Sequence, residues 1–227
     1  MQAATATRAR GSDRGDAKSL VRGYGLPVSP RILVIVGSQR PEPRLRALAG
    51  VAAQSATNAG GDVEVLDLAT LSLPVMLVGD VGQDELPAIQ RVRKTASDAD
   101  GFIITTPEYH GSMSGALKNW FDFLYEELAG KVAGVLATTG GGSGDMSIAA
   151  VKTSFQWCHG FVLPFHAAAT DPSLVEEGSM TPRVRARVER IGHDVVRYAR
   201  VIRPAFEEAR ARAAEGSLSG FAGEHGT

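Results

Sequence analysis

Short apolar runs alternate with segments of helical spacing along most of this chain. The pattern begins with the run 31–36, which is followed, after Gly37, by leucines and alanines three or four positions apart. The apolar runs are 31–36, 63–66, 101–106, 131–137 and 160–167, and the helical segments end near residues 60, 98, 128, 158 and 202. Because neighbouring parallel strands need a long crossover, usually a helix, the alternation predicts an α/β fold of three layers. We expect a five-stranded parallel sheet of order 2-1-3-4-5 with helices on both faces.

Length and composition bound the domain organisation. The chain has 227 residues, of which 44% are hydrophobic, and this is enough for one substantial core, which we predict over residues 30–204. Residues 1–29 carry few large apolar side chains and are predicted to form a disordered N-terminal tail. Residues 205–227 are predicted to contain a helix end and a flexible C-terminal tail. The Ala and Arg content of the N-terminal segment also fits an organelle-targeting leader, against which Asp13 and Asp16 argue.

Charge and cysteine usage restrict the class of partner. With 24 basic and 25 acidic residues, the chain has no overall field to attract nucleic acid, so a small molecule is the expected partner. The arginines of the last predicted helix, 182–202, could grip nucleic acid, but the acids between them favour a solvated face. Cys158 is the only cysteine, and no apolar run approaches the roughly 20 residues of a membrane helix. We therefore expect a soluble, cytoplasmic protein with no membrane partner.

Three loops follow the first, third and fourth predicted strands. They are 37–44, 107–115 and 138–144, and they should lie together at the carboxyl edge of the sheet, where open α/β sheets hold ligands. Three arginines, Arg40, Arg44 and Arg46, lie at or near the start of the helix that follows the first strand, where partial positive charge makes cations unfavourable. A bound anion would resolve that conflict. The alternative is that these arginines simply extend into solvent.

The second loop is the most distinctive stretch of the chain. It reads Pro107-Glu108-Tyr109-His110-Gly111-Ser112. Proline fixes one φ angle and glycine allows conformations closed to other residues, so the backbone groups between them can face a flat ligand. Beyond the loop, Ser114 is suited to cap the next helix. The helical spacing of Trp120 and Phe121 indicates core packing and not a stacking platform.

The third loop is rich in glycine, which lets a backbone approach a flat ring closely. It is not the dinucleotide fingerprint, because Asp145 occupies the place of the last glycine, and the chain has no Walker A sequence. A nucleophile elbow is not supported either, since Met113 occupies the nucleophile position of the segment Gly111 to Gly115. The five histidines show no metal-ligand spacing. We predict no metal site and assign no catalytic acid or base.

Together these loops resemble the NADPH-dependent FMN reductase family. The stretch Pro107–Asn119 is similar to the family signature PEYNGS followed by GxLKN, and Gly37–Arg40 is similar to its GSxR phosphate motif. The resemblance covers about Arg31 to Arg200 and implies a flavodoxin-like fold that binds FMN non-covalently. It also implies reduction by NADPH or NADH and a ping-pong transfer of electrons to a small acceptor, such as a flavin, quinone, azo compound or metal oxyanion. Members of the family are commonly homodimers or homotetramers.

The resemblance also assigns cofactor-binding residues in each loop. Ser38 and Arg40 correspond to the family's contacts to the flavin phosphate. The edge of the flavin ring is expected against Pro107, Glu108, Tyr109, His110, Gly111 and Ser112, and its other side against Gly141, Gly142 and Ser143. We add Arg44 on our own inference, as a charge-assisted phosphate contact.

This chain departs from the family pattern in two places. Pro41 and Pro43 remove two N–H groups where hydroxyl residues are usual, and Glu42 adds a negative charge, so the departure could weaken flavin binding. His110 replaces a common Asn, and we favour an outward-pointing substitute over a group that tunes the flavin. Two alternatives stay open: a non-enzymatic electron carrier or redox sensor, and a scaffold that has lost flavin. The near-zero net charge argues against a carrier, which often has a strongly acidic docking surface.

Overall fold

A computed structural model describes residues 29–170, 180–216 and 220–225 of the chain. The predicted disordered tail, 1–29, lies outside the described residues except for Ser29, and so stays a prediction. Within the described ranges, no helix is both long enough and apolar enough to cross a membrane.

The sheet has the predicted strand order and is parallel throughout. Its strands are β1 (Arg31–Val36), β2 (Asp62–Asp67), β3 (Gly101–Pro107), β4 (Val132–Thr139), β5 (Phe161–Val162) and β6 (Ala167–Thr170). The order is β2-β1-β3-β4-β5, with β6 also paired to β4. In the central register, Ile104 of β3 lies between Ile35 of β1 and Val135 of β4. The central strands β1, β3 and β4 are nearly continuous apolar runs because both of their faces are covered.

The prediction of one continuous last strand over residues 160–167 is wrong. Two short strands replace it, and both pair with β4: β5 at Val132 and Ala133, and β6 from Leu136 to Thr139. Pro164 lies between them and has no N–H to donate to a ladder, so the pairing stops there and resumes after it.

In the described part of the chain, five α-helices cover the two faces of the sheet. They are α1 (Pro43–Asn58), α2 (Pro87–Asp98), α3 (Gly115–Asp122), α4 (Asp145–Trp157) and α5 (Pro182–Ala214). One buried cluster joins β3 and β4 to α2, α3 and α4, and includes Phe102, Trp120 and Phe155. The other joins the sheet to α1 and α5 and includes Leu48 and Ile191. The predicted three layers are therefore present, and Trp120 and Phe121 are core residues as expected.

The C-terminal part differs from the sequence prediction. Helix α5 does not end near Ile202 but passes Pro204 and continues to Ala214. Phe206 is buried beyond the proline, so its packing offsets the missing backbone hydrogen bond. Residues 220–225 form a 3₁₀ helix instead of a free tail, and Ala222 packs against Phe206. His225 is buried in the same segment, and its Nε2 lies 2.6 Å from His159 Nδ1.

The arginines of α5 are only partly a solvated face. Arg200 donates hydrogen bonds to the carbonyl groups of Ala59 and Gly60. Arg187 donates to the carbonyl of His166 and lies over the ring of Phe165. These guanidinium groups tie α5 to neighbouring loops, a role that the solvated-face interpretation did not foresee.

Lys131 is a buried cation at the amino end of β4. Its side chain is fully covered, and Nζ donates to the carbonyl oxygens of Ala96 at 2.6 Å and Ser97 at 2.8 Å, near the end of α2. Burial lowers the pKa of Lys131 to about 7, and the charge of Arg203 adds to that shift.

We predict that Lys131→Met changes how stability depends on pH. Between pH 7 and 10 the unfolded chain holds a proton on this amine that the folded chain gives up, so wild-type stability rises with pH in that window. The difference between wild type and Lys131→Met is expected to change by about 1 kcal/mol per pH unit. Urea unfolding at pH 7 and pH 9 measures it. The control is Lys94→Met, at an exposed lysine of α2, and parallel profiles for wild type and Lys131→Met would contradict the prediction.

Candidate functional site

The three predicted loops meet at the carboxyl edge of the sheet. They follow β1, β3 and β4, which are neighbours in the strand order. Backbone hydrogen bonds join them: Gly37 N–H donates to the Thr105 carbonyl at 2.9 Å, and Glu108 N–H donates to the Thr138 carbonyl at 2.8 Å. The juxtaposition expected from the parallel topology is therefore present.

The first loop makes a close approach to β3 and α3. A Cβ atom added at Gly37 would lie 2.4 Å from the carbonyl oxygen of Thr105 and 3.1 Å from a side-chain atom of Leu117. Ser114 Oγ donates to the Gly37 carbonyl at 2.5 Å and accepts from the N–H of Leu117, so it caps α3 as predicted. The close approach to Thr105 means that only glycine fits at position 37. Ser38, the next residue, is almost fully buried, and its Oγ accepts a hydrogen bond from the N–H of Arg40.

The arginines of the first loop divide into two groups. Arg40 and Arg44 are exposed at or near the start of α1, as the anion-site hypothesis requires. Arg46 is instead turned away to the end of β2, where its Nε donates to Asp67 Oδ2 at 2.8 Å. The N-cap residue of α1 is Glu42, whose side chain makes no capping hydrogen bond. Among the described residues, the positive end of this helix therefore receives no side-chain cap.

The second loop contains a tight turn that sequence reasoning did not identify. Tyr109 and Ser112 exchange two backbone hydrogen bonds, each of 3.0 Å, and the residues between them, His110 and Gly111, have φ angles of 51° and 74°. Two consecutive positive φ angles define a type I′ turn, for which Asn and Gly are favoured and His is among the tolerated residues. This explains why His can stand where Asn is common. The His110 side chain is exposed, in keeping with the outward-pointing interpretation.

Glu108 joins the second loop to the helix after the third. Its Oε2 accepts a hydrogen bond from the backbone N–H of Ser147, in the first turn of α4, at 3.2 Å. A carboxylate is favourable at that end of a helix. A Cβ atom at Gly111 would lie 3.2 Å from the sulfur of Met146, so the tight turn also approaches α4. The Glu108 side chain thus links the second loop to α4, and no sequence pattern indicates this role.

The third loop is held by its own hydroxyl groups. Gly142 N–H donates to Thr139 Oγ1 at 3.1 Å, and Asp145 N–H donates to Ser143 Oγ at 3.4 Å. The residues Gly141, Gly142 and Ser143 are exposed. Nothing described lies within 4 Å of a Cβ atom built on Gly141, so there is open space above this backbone.

An unexpected hydrogen bond crosses from the second loop to the first. The hydroxyl of Tyr109 donates to Glu42 Oε1 at 2.6 Å, across 67 positions of sequence. Burial raises the pKa of Tyr109, and the bond to Glu42 raises it further, while the neighbouring Ser38 and Arg40 lower it. The Tyr109 hydroxyl is therefore tied to the first loop, which carries the predicted phosphate contacts. No local pattern in the sequence could have revealed this pairing.

A second residue missed from the sequence is Asn119, the last residue of the signature stretch. Its Oδ1 accepts from the N–H of Met76, and its Nδ2 donates to the carbonyl of Pro74. The side chain thus fixes the connection that runs from β2 toward α2, beside the site. The Asn119 amide therefore has a structural role that its place in the sequence does not reveal.

The arrangement fits a flat ligand with an anionic group. The backbone N–H groups of His110 and Gly111 donate to no acceptor among the residues described, so they are available to ring oxygen or nitrogen atoms. Arg40 and the α1 amino end supply positive charge for the anion. The open face at Gly141 leaves room beside the turn. In the described parts of the chain, no group of acidic, His or Cys side chains could hold a metal ion.

Comparisons with known proteins agree with this geometry. The NADPH-dependent FMN reductase family matches residues 30–172. The NADPH azoreductase of Bacillus sp. (strain OY1-2) is 29% identical over 182 residues, which cover 79% of this chain and 96% of the azoreductase. An NAD(P)H-dependent FMN reductase of Schizosaccharomyces pombe is 31% identical over 160 residues, 66% of this chain and 74% of that protein.

A solved structure shows the same fold. The flavoenzyme NAD(P)H:(acceptor) oxidoreductase FerB from Paracoccus denitrificans superposes with a TM-score of 0.62 at 23% identity, over 75% of this chain and 97% of FerB. The flavodoxin-like fold expected from the sequence is thus confirmed. The chain belongs to the NADPH-dependent FMN reductase family, whose members are oxidoreductases that use FMN and a reduced nicotinamide nucleotide.

Proposed function

We propose that this chain binds FMN non-covalently in the three-loop site and transfers electrons from NADPH or NADH to a small acceptor. The observation that carries the proposal is the meeting of the exposed arginines, the tight turn and the glycine loop at one edge of the sheet. Ser38, Arg40 and Arg44 would hold the phosphate, the turn from Tyr109 to Ser112 the ring edge, and residues 141–143 the other side. Flavins, quinones, azo compounds and metal oxyanions are the acceptor classes.

Each part of the site has a distinct task. A flavin held by these residues would supply the hydride chemistry between nicotinamide and acceptor, and we expect the two to react in turn, in a ping-pong sequence. The N–H groups of His110 and Gly111 would orient the ring and favour negative charge beside them. Glu108 and Ser114 hold their loops in place through hydrogen bonds to Ser147 and Gly37. Rigid support of this kind keeps a reacting ring in one orientation.

Two further parts of the proposal concern assembly and location. A homodimer or homotetramer is supported by large apolar side chains left exposed in the described chain, among them Trp157 at 79% and Val78 at 93%. A cytoplasmic location is supported by the single cysteine, which is free and buried. Light scattering on the purified protein tests the first part, and the mass of one chain would contradict it.

The test of function is a flavin titration followed by turnover. The purified protein is mixed with FMN, its visible spectrum is recorded, and oxidation of NADPH and NADH is followed with a quinone, an azo dye and ferricyanide. We expect a bound flavin spectrum and acceptor-dependent nucleotide oxidation. Bound flavin without turnover would favour the carrier or sensor, and no bound flavin at saturating FMN would favour the scaffold that has lost its cofactor.

Replacing the exposed arginines tests the phosphate end of the site. Arg40→Ala is expected to raise the Kd for FMN about tenfold, because a charge-assisted hydrogen bond to phosphate is lost. Arg44→Ala is expected to act in the same direction, and the Kd for riboflavin is expected to stay constant in both variants. Fluorescence titration measures the constants. The control is Arg91→Ala on the exposed side of α2, and unchanged FMN affinity in both test variants would return these arginines to a solvated role.

A further inference from the structure

Glu42 lies in the loop that is expected to bind the flavin phosphate. Glu42 is the N-cap residue of α1, its backbone is extended with φ −86° and ψ 106°, and its side chain does not cap the helix. It is partly buried, between the exposed Arg40 and Arg44 in sequence. Its Oε1 is fixed by the 2.6 Å hydrogen bond from the Tyr109 hydroxyl. A carboxylate of the protein itself, that of Glu42, therefore lies in the loop that is predicted to bind an anion.

The surroundings of Tyr109 show that this carboxylate belongs to the site. The Tyr109 hydroxyl donates to Glu42, and two positions before Arg40 the Ser38 Oγ accepts from the Arg40 N–H, so Glu42 shares its short loop with the two residues assigned to the phosphate. A phosphate monoester carries a charge of about −1.5 to −2 at pH 7. A fixed carboxylate among the same groups repels it and competes for the positive end of α1. A neutral ligand of the same ring structure would feel neither effect.

We propose that Glu42, held in place by Tyr109, is a specificity-determining residue that lowers the preference of the site for FMN over riboflavin and makes FMN a dissociable ligand. The proposal rests on the proposed function, since it assumes that flavin occupies the three-loop site. It deepens that function in one respect, because it names the residue that sets how the site distinguishes a phosphorylated flavin from an unphosphorylated one.

The test compares two flavins on a variant that removes only the charge. Glu42→Gln keeps an oxygen that can accept from Tyr109. Its Kd for FMN is expected to fall about tenfold at low ionic strength, while its Kd for riboflavin stays constant. The gain is expected to shrink as salt is added, because the repulsion is screened. The control is Glu64→Gln on β2, where the glutamate is exposed beside Arg31 and Asp62 and far from the loops in strand position.

A second variant tests the part played by Tyr109. Tyr109→Phe keeps the ring but frees the carboxylate, so a smaller gain in FMN affinity is expected, with no further gain when it is added to Glu42→Gln. Fluorescence quenching gives all the constants without turnover. Equal tightening of both flavins in Glu42→Gln, or unchanged FMN affinity, would overturn the proposal, as would an additive effect of Tyr109→Phe. Wild-type protein that binds neither flavin would overturn the proposed function as well, so the two failures are distinguishable.

Discussion

Gly37→Ala is expected to destabilise the protein by about 3 kcal/mol and to raise the Kd for FMN more than tenfold. The added methyl group would lie 2.4 Å from the carbonyl oxygen of Thr105, near the carboxyl end of β3, and a backbone atom there cannot move aside easily. The N–H of Gly37 also bonds that carbonyl, so relief of the clash breaks the link between the first two loops. Ser38 and Arg40 then lose their position relative to the turn at His110.

The matched control for this change is Gly50→Ala. Gly50 is exposed within α1, and a Cβ atom there would meet nothing within 4 Å. Alanine is the better helix former, so this variant is expected to gain about 0.5–1 kcal/mol and to bind FMN normally. Urea unfolding and fluorescence titration of both variants give the two quantities. Equal stability of Gly37→Ala and wild type would contradict the prediction, because the contact between Gly37 and Thr105 would then have to relax without loss of stability.

Trp120→Ala is expected to cost about 4 kcal/mol of folding free energy, the typical loss for a buried tryptophan. The side chain is fully covered in the cluster between the sheet and α3, and packs edge-on against Phe102 and Phe121, with ring centroids 6.2 and 5.1 Å away. Its removal leaves a large cavity below the helix that follows the second loop. Guanidinium or urea unfolding measures the loss.

Trp120→Phe separates packing from hydrogen bonding at the same position. Trp120 Nε1 has no hydrogen-bond partner among the described residues, so phenylalanine removes an unsatisfied donor while it keeps an aromatic ring. The expected loss is below about 2 kcal/mol. A loss in Trp120→Phe as large as in Trp120→Ala would show that the indole nitrogen finds a partner after all.

Most of the fold could be predicted from the sequence because the patterns that indicate strands and helices are local and periodic. Apolar runs such as 31–36 and 101–106 are buried on both faces in a parallel sheet, and the helix after each run provides the crossover that makes neighbouring strands parallel. The errors lie where a single residue competes with the pattern. Pro164 divides the last strand, and the packing of Phe206 carries α5 through Pro204.

The site followed from the sequence only in outline. The topology rule brought the three loops to one edge, and Arg40 and Arg44 are exposed there as expected. The tight turn at His110 was missed because its type depends on two φ angles, which a His-Gly pair permits but does not require. Arg46 was drawn away by Asp67, a partner 21 positions distant.

By itself the sequence determined the parallel sheet, the three loops at its carboxyl edge and the family, because periodicity and short motifs are written in neighbouring residues. Only the tertiary structure decided how the loops are joined: Gly37 against Thr105, Glu108 on α4, and Glu42 on Tyr109. Such contacts link residues far apart in the chain. Their energies depend on distances of a few tenths of an ångström and on burial, which the folded chain sets as a whole and no local pattern encodes.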